Sequence, residues 1–298
     1  MSSGCKLVFF GNERLISGLA STNAPILSSL IEAGYTICAI VVNDAGTTSR
    51  NKKPQEVVEL ANAHRIPVLS PHTPMDAYDE LAAFNAEAGI LVAYGRIVPQ
   101  KLIDLFPFGI INIHPSLLPL YRGPSPIETA IVNGDKVTGV SIMSLVQKMD
   151  AGPVYRQIEV HLSGDETAPH LAASLSELAA TELLATLPSI LNGALQPTLQ
   201  DEDAATYCHL INKADAHLQP STQTAQQAER FVRAYQAFPK ARLSVFGHDI
   251  IIMLAHVSEE PNGELAIKFT DAYLVVDELI APSGKRISGQ AFIKGYKK

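Results

Sequence analysis

Cysteine is scarce and scattered. Cys5, Cys38 and Cys208 make no CxxC pair, which argues against a disulfide framework or a zinc knuckle and fits a reducing cytoplasm. No apolar run nears the ~20 residues of a membrane-spanning helix; among the longest is Gly89–Tyr94. The opening MSSGCKLVFFG has no basic stretch followed by a long apolar run, so no secretory signal is read. Phosphate and nucleophile signatures are missing too. The first apolar run ends Phe10-Gly11-Asn12-Glu13-Arg14, which is no GxGxxG, and neither GxxxxGK[ST] nor GxSxG occurs. A nicotinamide oxidoreductase would lack its phosphate loop. What is present is a hydrophobic share of 47% against 18% charged residues, enough for a real core and too apolar for disorder. The 298 residues allow one large domain or two smaller ones.

The net charge of −7 argues on its face against a polyanionic partner. It is unevenly spread. Residues 207–298 hold 11 Lys+Arg and 9 Asp+Glu, so the excess of acid lies in the rest. From Lys285 onward there are Lys285, Arg286, Lys294, Lys297 and Lys298 and no acid. An acidic body with a basic tail permits a polyanion, or is a solubilising terminus.

Apolar runs alternate with helical patterns through the first half. Strands are expected at Lys6–Phe10, Thr36–Val42, Ile66–Leu69, Gly89–Ala93 and Gly109–Ile113. Helical segments are expected from the first strand to about Ala33, at Pro54–His64 and at Met75–Ala86. Strands separated by helices imply right-handed crossovers and an α/β fold with a mostly parallel sheet. Val137–Leu145 and Pro153–Val160 read as two strands in quick succession, and Thr167–Leu191 as a long helix. Residues 193–206 (GALQPTLQDEDAAT) lack periodicity and read as a linker. After it come a helix at Thr224–Ala237 and short strands at Arg242–Phe246, Ile250–Val257, Glu264–Phe269 and Tyr273–Ile280, the spacing of a small barrel or sandwich. Ile293 falls in that C-terminal strand pattern.

The chemistry-bearing stretch is Gly109–Asp150. Asn112 and His114 alternate on one face at the C-terminal end of a strand, where open α/β sheets bind ligands. Four prolines stiffen the loop from Pro115 to Pro126. Asn offers an amide donor that does not titrate, and His donates when protonated or moves a proton near neutrality. That pair suits an oxyanion developing on an acyl carbon. Asp150, in the turn Met149-Asp150-Ala151-Gly152, supplies a carboxylate to orient the His or carry the proton. On the residues alone, Asn112 and His114 could equally satisfy loop backbone groups.

The runs Asn112-Ile-His114-Pro-Ser116-Leu117-Leu118-Pro119, Tyr121-Arg122-Gly123-Pro-Ser-Pro126, Gly139–Met143 and Met149–Pro153 resemble formyltransferases that use 10-formyltetrahydrofolate. More narrowly, they are similar to the methionyl-tRNA formyltransferases. Val92-Ala93-Tyr94-Gly95-Arg-Ile-Val-Pro99 and Tyr207–Lys213 add to the likeness, which spans most of the chain. The resemblance implies a Rossmann-like catalytic domain at 1–192, the linker at 193–206, and an OB-like β-barrel at 207–298 that helps bind tRNA. It implies Asn112, His114 and Asp150 as the catalytic trio. It puts the folate, as formyl donor, at Val92, Ala93, Tyr94, Gly95, Ser116, Leu117, Leu118 and Pro119. It puts initiator methionyl-tRNA at Phe10, Gly11, Asn12, Arg50, Lys52, Lys53, Arg122, Lys213, Lys294 and Lys297. A monomer is expected, with no metal and no membrane. The chain departs from the family where the first strand ends FFGNERL, in the short Asn43–Lys53 loop, and in Asn212–Pro220, which has no Ile-Asp-Trp. The alternatives are a formyltransferase for an amino sugar nucleotide or glycinamide ribonucleotide, or a non-catalytic RNA-binding relative.

Overall fold

A computed structural model describes residues 4–19, 21–43, 55–261 and 263–297. The chain opens with β1 (Lys6–Gly11), α1 (Pro25–Glu32), β2 (Thr36–Val41), α2 (Glu56–His64) and β3 (Val68–Leu69). A 3₁₀ turn at Pro74–Ala77 leads into α3 (Tyr78–Ala83), then β4 (Ala88–Val92), α4 (Gln100–Ile103), β5 (Ile110–His114) and α5 (Pro126–Asn133). The hairpin of β6 (Val137–Ser144) and β7 (Val154–His161) and the long α6 (Ala168–Leu191) complete this half.

The seven strands lie in the order β3-β2-β1-β4-β5-β6-β7. Pairing is parallel from β3 through β5, and β6 and β7 are added antiparallel at the far edge. The strands through β5 are near-continuous apolar runs because helices cover both faces. Strand order reverses between β1 and β4, so the crevice beyond their C-terminal ends is the ligand-binding position of an open sheet. The register pairs Gly11 with Val92 and Leu91 with Asn112. The segments after β1, β4 and β5 therefore leave the sheet along one edge.

The segment after β1 corrects the reading of a helix up to Ala33. Among the described residues of that segment only Pro25–Glu32 is helical. Leu15 and Ile16 are buried, but they reach the core from an irregular loop. The buried Glu13 accepts hydrogen bonds from the Ile26 and Leu27 amides at 3.0 and 2.8 Å. A carboxylate there satisfies orphan donors of the first turn of α1 and fixes where that helix begins.

The C-terminal half begins with α7 (Ala225–Ala234), capped by Thr224. Then come β8 (Arg242–Val245), β9 (His248–Ser258), β10 (Ala266–Lys268), β11 (Tyr273–Ile280), β12 (Arg286–Ser288) and α8 (Gly289–Tyr296). The five strands form an antiparallel sheet, β10-β11-β9-β8 with β12 on β11. It curls through register shifts between β9 and β11, giving an OB-like half-barrel. Ile293 lies on α8, which Ser288 caps, so its apolar neighbours follow a helix and not a strand. Phe231 of α7 packs against both the sheet-domain core and the barrel core. Arg230 donates to the Asn133 carbonyl at the end of α5, and Arg233 to the Glu166 carbonyl.

Candidate active site

β5 ends in two buried polar side chains, Asn112 and His114, each 5% exposed. Both face the carboxylate of Asp150, which enters from the β6–β7 turn. Asn112 Nδ2 lies 3.5 Å from Asp150 Oδ1, and His114 Nδ1 lies 3.7 Å from Asp150 Oδ2. These spacings are longer than a good hydrogen bond, as catalytic contacts often are in the absence of substrate. The other ring nitrogen, Nε2, is 3.0 Å from the Tyr121 carbonyl. A carbonyl only accepts, so the proton of the neutral ring belongs on Nε2, and Nδ1 faces the site as lone pair or, after protonation, as donor.

The backbone around Asp150 is held by close packing. Asp150 itself has φ +47°, an uncommon conformation outside glycine and kept where the surroundings over-determine it. Its Oδ2 accepts from the Gly123 amide at 2.8 Å. A Cβ on Gly152 would come 1.8 Å from the Ser144 carbonyl oxygen, so only glycine lets the turn close on β6.

Ser116–Pro119 is pinned from below. Ser116 Oγ donates to the Leu120 carbonyl, Ser141 Oγ to the Ser116 carbonyl, and the Leu118 amide to Ser141 Oγ. Gln157 Nε2 donates to the Leu118 carbonyl at 2.7 Å. After β4, Ala93 and Gly95 have φ of +52° and +72°. Between them Tyr94 is buried, and its hydroxyl has no hydrogen-bond partner among the described residues. Burial raises its pKa, leaving a neutral donor. The Tyr94 hydroxyl is thus a buried donor without a partner among the described residues, and the main chain of Ser116–Pro119 is tied in place after β5. Val92 and Leu118 are buried by their side chains and have main chain to offer. Leu117 is half-buried.

Other sites expected from the sequence are placed differently. Phe10 is fully buried against Tyr94 and Phe106, and Gly11 is buried where β1 touches β4, so neither presents a side chain to an acceptor. Asn12 Oδ1 accepts from the Arg14 amide. Arg122 is 0% exposed and its guanidinium is committed to Gln200, Glu202 and Tyr207, which corrects its reading as a phosphate contact: no face of it is open to RNA. Lys213, Lys294 and Lys297 are exposed on the C-terminal half. Arg50, Lys52 and Lys53 lie outside the described residues. Among the described residues no group of three or more His, Cys, Asp or Glu could hold a metal, and no helix is long and apolar enough to cross a membrane.

Sequence reading missed the segment 193–206 as part of the site. Thr198 pairs with Val154 in both directions at 2.8 Å. The Arg122 amide donates to the Thr206 carbonyl, and the Cys208 amide to the Arg122 carbonyl. The segment is a strap laid along β7 and the proline loop. A cavity of about 430 Å³ lies beneath it, lined by Leu118, Pro119, Arg156, Gln157 and Leu199 among others. It is separate from the trio.

Residues 14–187 match the family described as formyl transferase, and residues 210–297 match formyl transferase, C-terminal domain. Fold and site thus define a two-domain formyl transferase. A methionyl-tRNA formyltransferase of Lactobacillus acidophilus is 33% identical over 299 residues, covering 94% of each chain. One of Roseiflexus castenholzii is 37% identical over 278 residues, covering 88% of each. The chain belongs to the methionyl-tRNA formyltransferase family. Solved structures share the fold at low identity. HypX from Aquifex aeolicus, in complex with tetrahydrofolic acid, superposes with a TM-score of 0.68 at 16% identity, over 98% of this chain and 47% of that one. An N-formyltransferase from Helicobacter canadensis, with folinic acid and dTDP-3-aminofucose, gives 0.65 at 18%, over 96% and 98%.

Proposed function

We propose that this chain moves the formyl group of 10-formyltetrahydrofolate to the α-amino group of methionyl initiator tRNA, with Asn112, His114 and Asp150 as the catalytic residues. The folate supplies an activated formyl carbon. The neutral amine attacks it, the new carbon–nitrogen bond forms, the bond to the folate nitrogen breaks, and the proton lost by the amine ends on that nitrogen. Asn112 Nδ2 and protonated His114 Nδ1 donate to the oxyanion that develops on the formyl oxygen. Asp150, 3.7 Å from Nδ1, stabilises the imidazolium through its charge and accepts or relays the proton. Tyr94 and the main chain of Ser116–Pro119 hold the folate; exposed lysines of the barrel face the tRNA. The reading places the chain as a monomer working where tRNA is charged, in the cytoplasm.

The observation that supports this reading most is the convergence of two donors and a carboxylate at one strand end, in a chain aligned with its relatives over nearly its whole length. The test is incubation with 10-formyltetrahydrofolate and, in separate reactions, charged initiator tRNA, uncharged tRNA and an amino sugar nucleotide. Formyl should appear on the charged tRNA. Formylation of the sugar nucleotide alone, or folate binding without product, would overturn the reading.

A further inference from the structure

The strap and the catalytic turn share one hydrogen-bonded brace. Gln200 sits at its centre. Its Nε2 donates to the Asp150 carbonyl at 2.8 Å and the Gly152 carbonyl at 2.6 Å. Its Oε1 accepts from Arg122 Nη2 at 2.8 Å and Nε at 3.0 Å. The buried guanidinium then reaches Glu202 through Nη2 at 2.9 Å and Nη1 at 3.2 Å, and Glu202 also accepts from Lys148 Nζ of the same β6–β7 turn. The residue following Arg122 is Gly123, whose amide holds Asp150 Oδ2. Gly123 has φ +122°, and a Cβ there would come 2.6 Å from the Cys208 carbonyl oxygen of the strap. Both ends of Asp150, main-chain carbonyl and side-chain carboxylate, are therefore tied to groups that the strap fixes.

We infer that Gln200 is a positioning residue for the formyl transfer, acting through the juxtaposition of its amide with the Asp150 and Gly152 carbonyls on one side and the Arg122 guanidinium on the other. The inference rests on the proposed role of Asp150. Asp150 sits at φ +47°, a region Asp tolerates better than most residues but which still costs energy outside glycine, so the bonds to its neighbours help to hold it. A primary amide is the one uncharged side chain that can donate to two carbonyls and accept from an arginine at once. Its carboxylate isostere keeps the acceptor for Arg122 but sets oxygen against two carbonyl oxygens. A misplacement of about 1 Å in a reacting group can cost on the order of a hundredfold in rate, whereas the hydrogen bonds of Gln200 go to Asp150, Gly152 and Arg122 and not to Tyr94 or Ser116–Pro119, the groups proposed to hold the folate.

The experiment is a double-mutant cycle of Gln200→Glu with Asp150→Asn in the full-length chain, measuring kcat and KM for 10-formyltetrahydrofolate with charged initiator tRNA as acceptor. Gln200→Glu should lower kcat by about tenfold to a hundredfold with KM within about twofold, and Gln200→Asn, which keeps an amide, should recover part of the loss. In the Asp150→Asn background Gln200→Glu should cost nothing further, because a residue acting only through another has no effect once that one is disabled. If Gln200→Glu fails to fold, Arg122→Lys tests the same brace, keeping the charge but not the fork, with the same pattern expected. An equal fractional loss in both backgrounds would mean a merely structural role and overturn the inference, as would an unchanged kcat. Should Asp150→Asn itself run at full rate, the proposed role of Asp150 falls, and the inference with it.

Discussion

Two buried glutamates meet the same burial penalty in different surroundings. Burial pushes the carboxyl groups of Glu13 and Glu128 up to about 7. Glu13 is offset by the two α1 amides it caps, while Glu128 Oε2 has no partner among the described residues. Each binds a proton in the folded state that the unfolded chain has released, between the ordinary glutamate range and about pH 7. Their stabilising contribution is therefore full at low pH and lost as pH rises through 7. Glu128→Gln should raise stability by about 1–3 kcal/mol at pH 8 and change little at pH 5. Urea unfolding at the two pH values checks this; equal midpoints at pH 8 would mean Glu128 carries no burial penalty. Glu13→Ala, by contrast, should destabilise at both, by about 1–3 kcal/mol, because it strands two buried amides. At the proposed reaction centre, His114→Ala should fold normally and lose about a hundredfold or more in turnover, from one missing oxyanion donor. A folded His114→Ala enzyme with normal turnover would remove the imidazole from the mechanism.

Elements differ in how far their residues announce them. β1 through β5 are apolar runs of the right length between helical patterns, and the sequence reading places them within a residue or two. Asn112 and His114 stand out because polar residues interrupt the apolar run of β5 at its end, and Asp150 stands out as a carboxylate in the turn between two expected strands; their proposed roles rest on the family resemblance. The loop after β1 was misread because Leu15 and Ile16 have helix-like apolar spacing yet reach the core from irregular backbone. Gln200 was illegible for a different reason. Its contacts are single hydrogen bonds to residues some fifty positions earlier, and no periodicity encodes such partners. Register between elements can still be tested at one atom. A Cβ on Gly11, where φ is +117°, would stand 1.8 Å from the Val92 carbonyl oxygen. Gly11→Ala should cost about 3 kcal/mol or more by forcing β1 and β4 apart. Denaturant unfolding checks it, and a loss below about 1 kcal/mol would show that the junction yields easily.

At the scale of the whole molecule, the acidic sheet domain and the basic barrel are expected to divide the substrates. Lys294 and Lys297 are exposed on α8 and the segment following it. If they meet tRNA phosphates, affinity should fall steeply with salt, with a slope of roughly −0.9 per phosphate contacted on a duplex. Replacing both by Glu should weaken tRNA binding and flatten that slope while leaving folate binding unchanged. Titrations at several salt concentrations measure it, and an unchanged slope would make this helix a solvated terminus.

The strap also changes where the molecule can be cut. By sequence pattern the sheet half ends near Asn192, yet Gln200, Glu202, Thr206 and Cys208 all bond to its proline loop or to the turn that carries Asp150. A hybrid enzyme that takes its barrel from a relative should therefore keep native turnover when the splice falls after Cys208. The same exchange spliced at Asn192 would import a foreign strap across Arg122 and Asp150, and should be slow even though both halves fold.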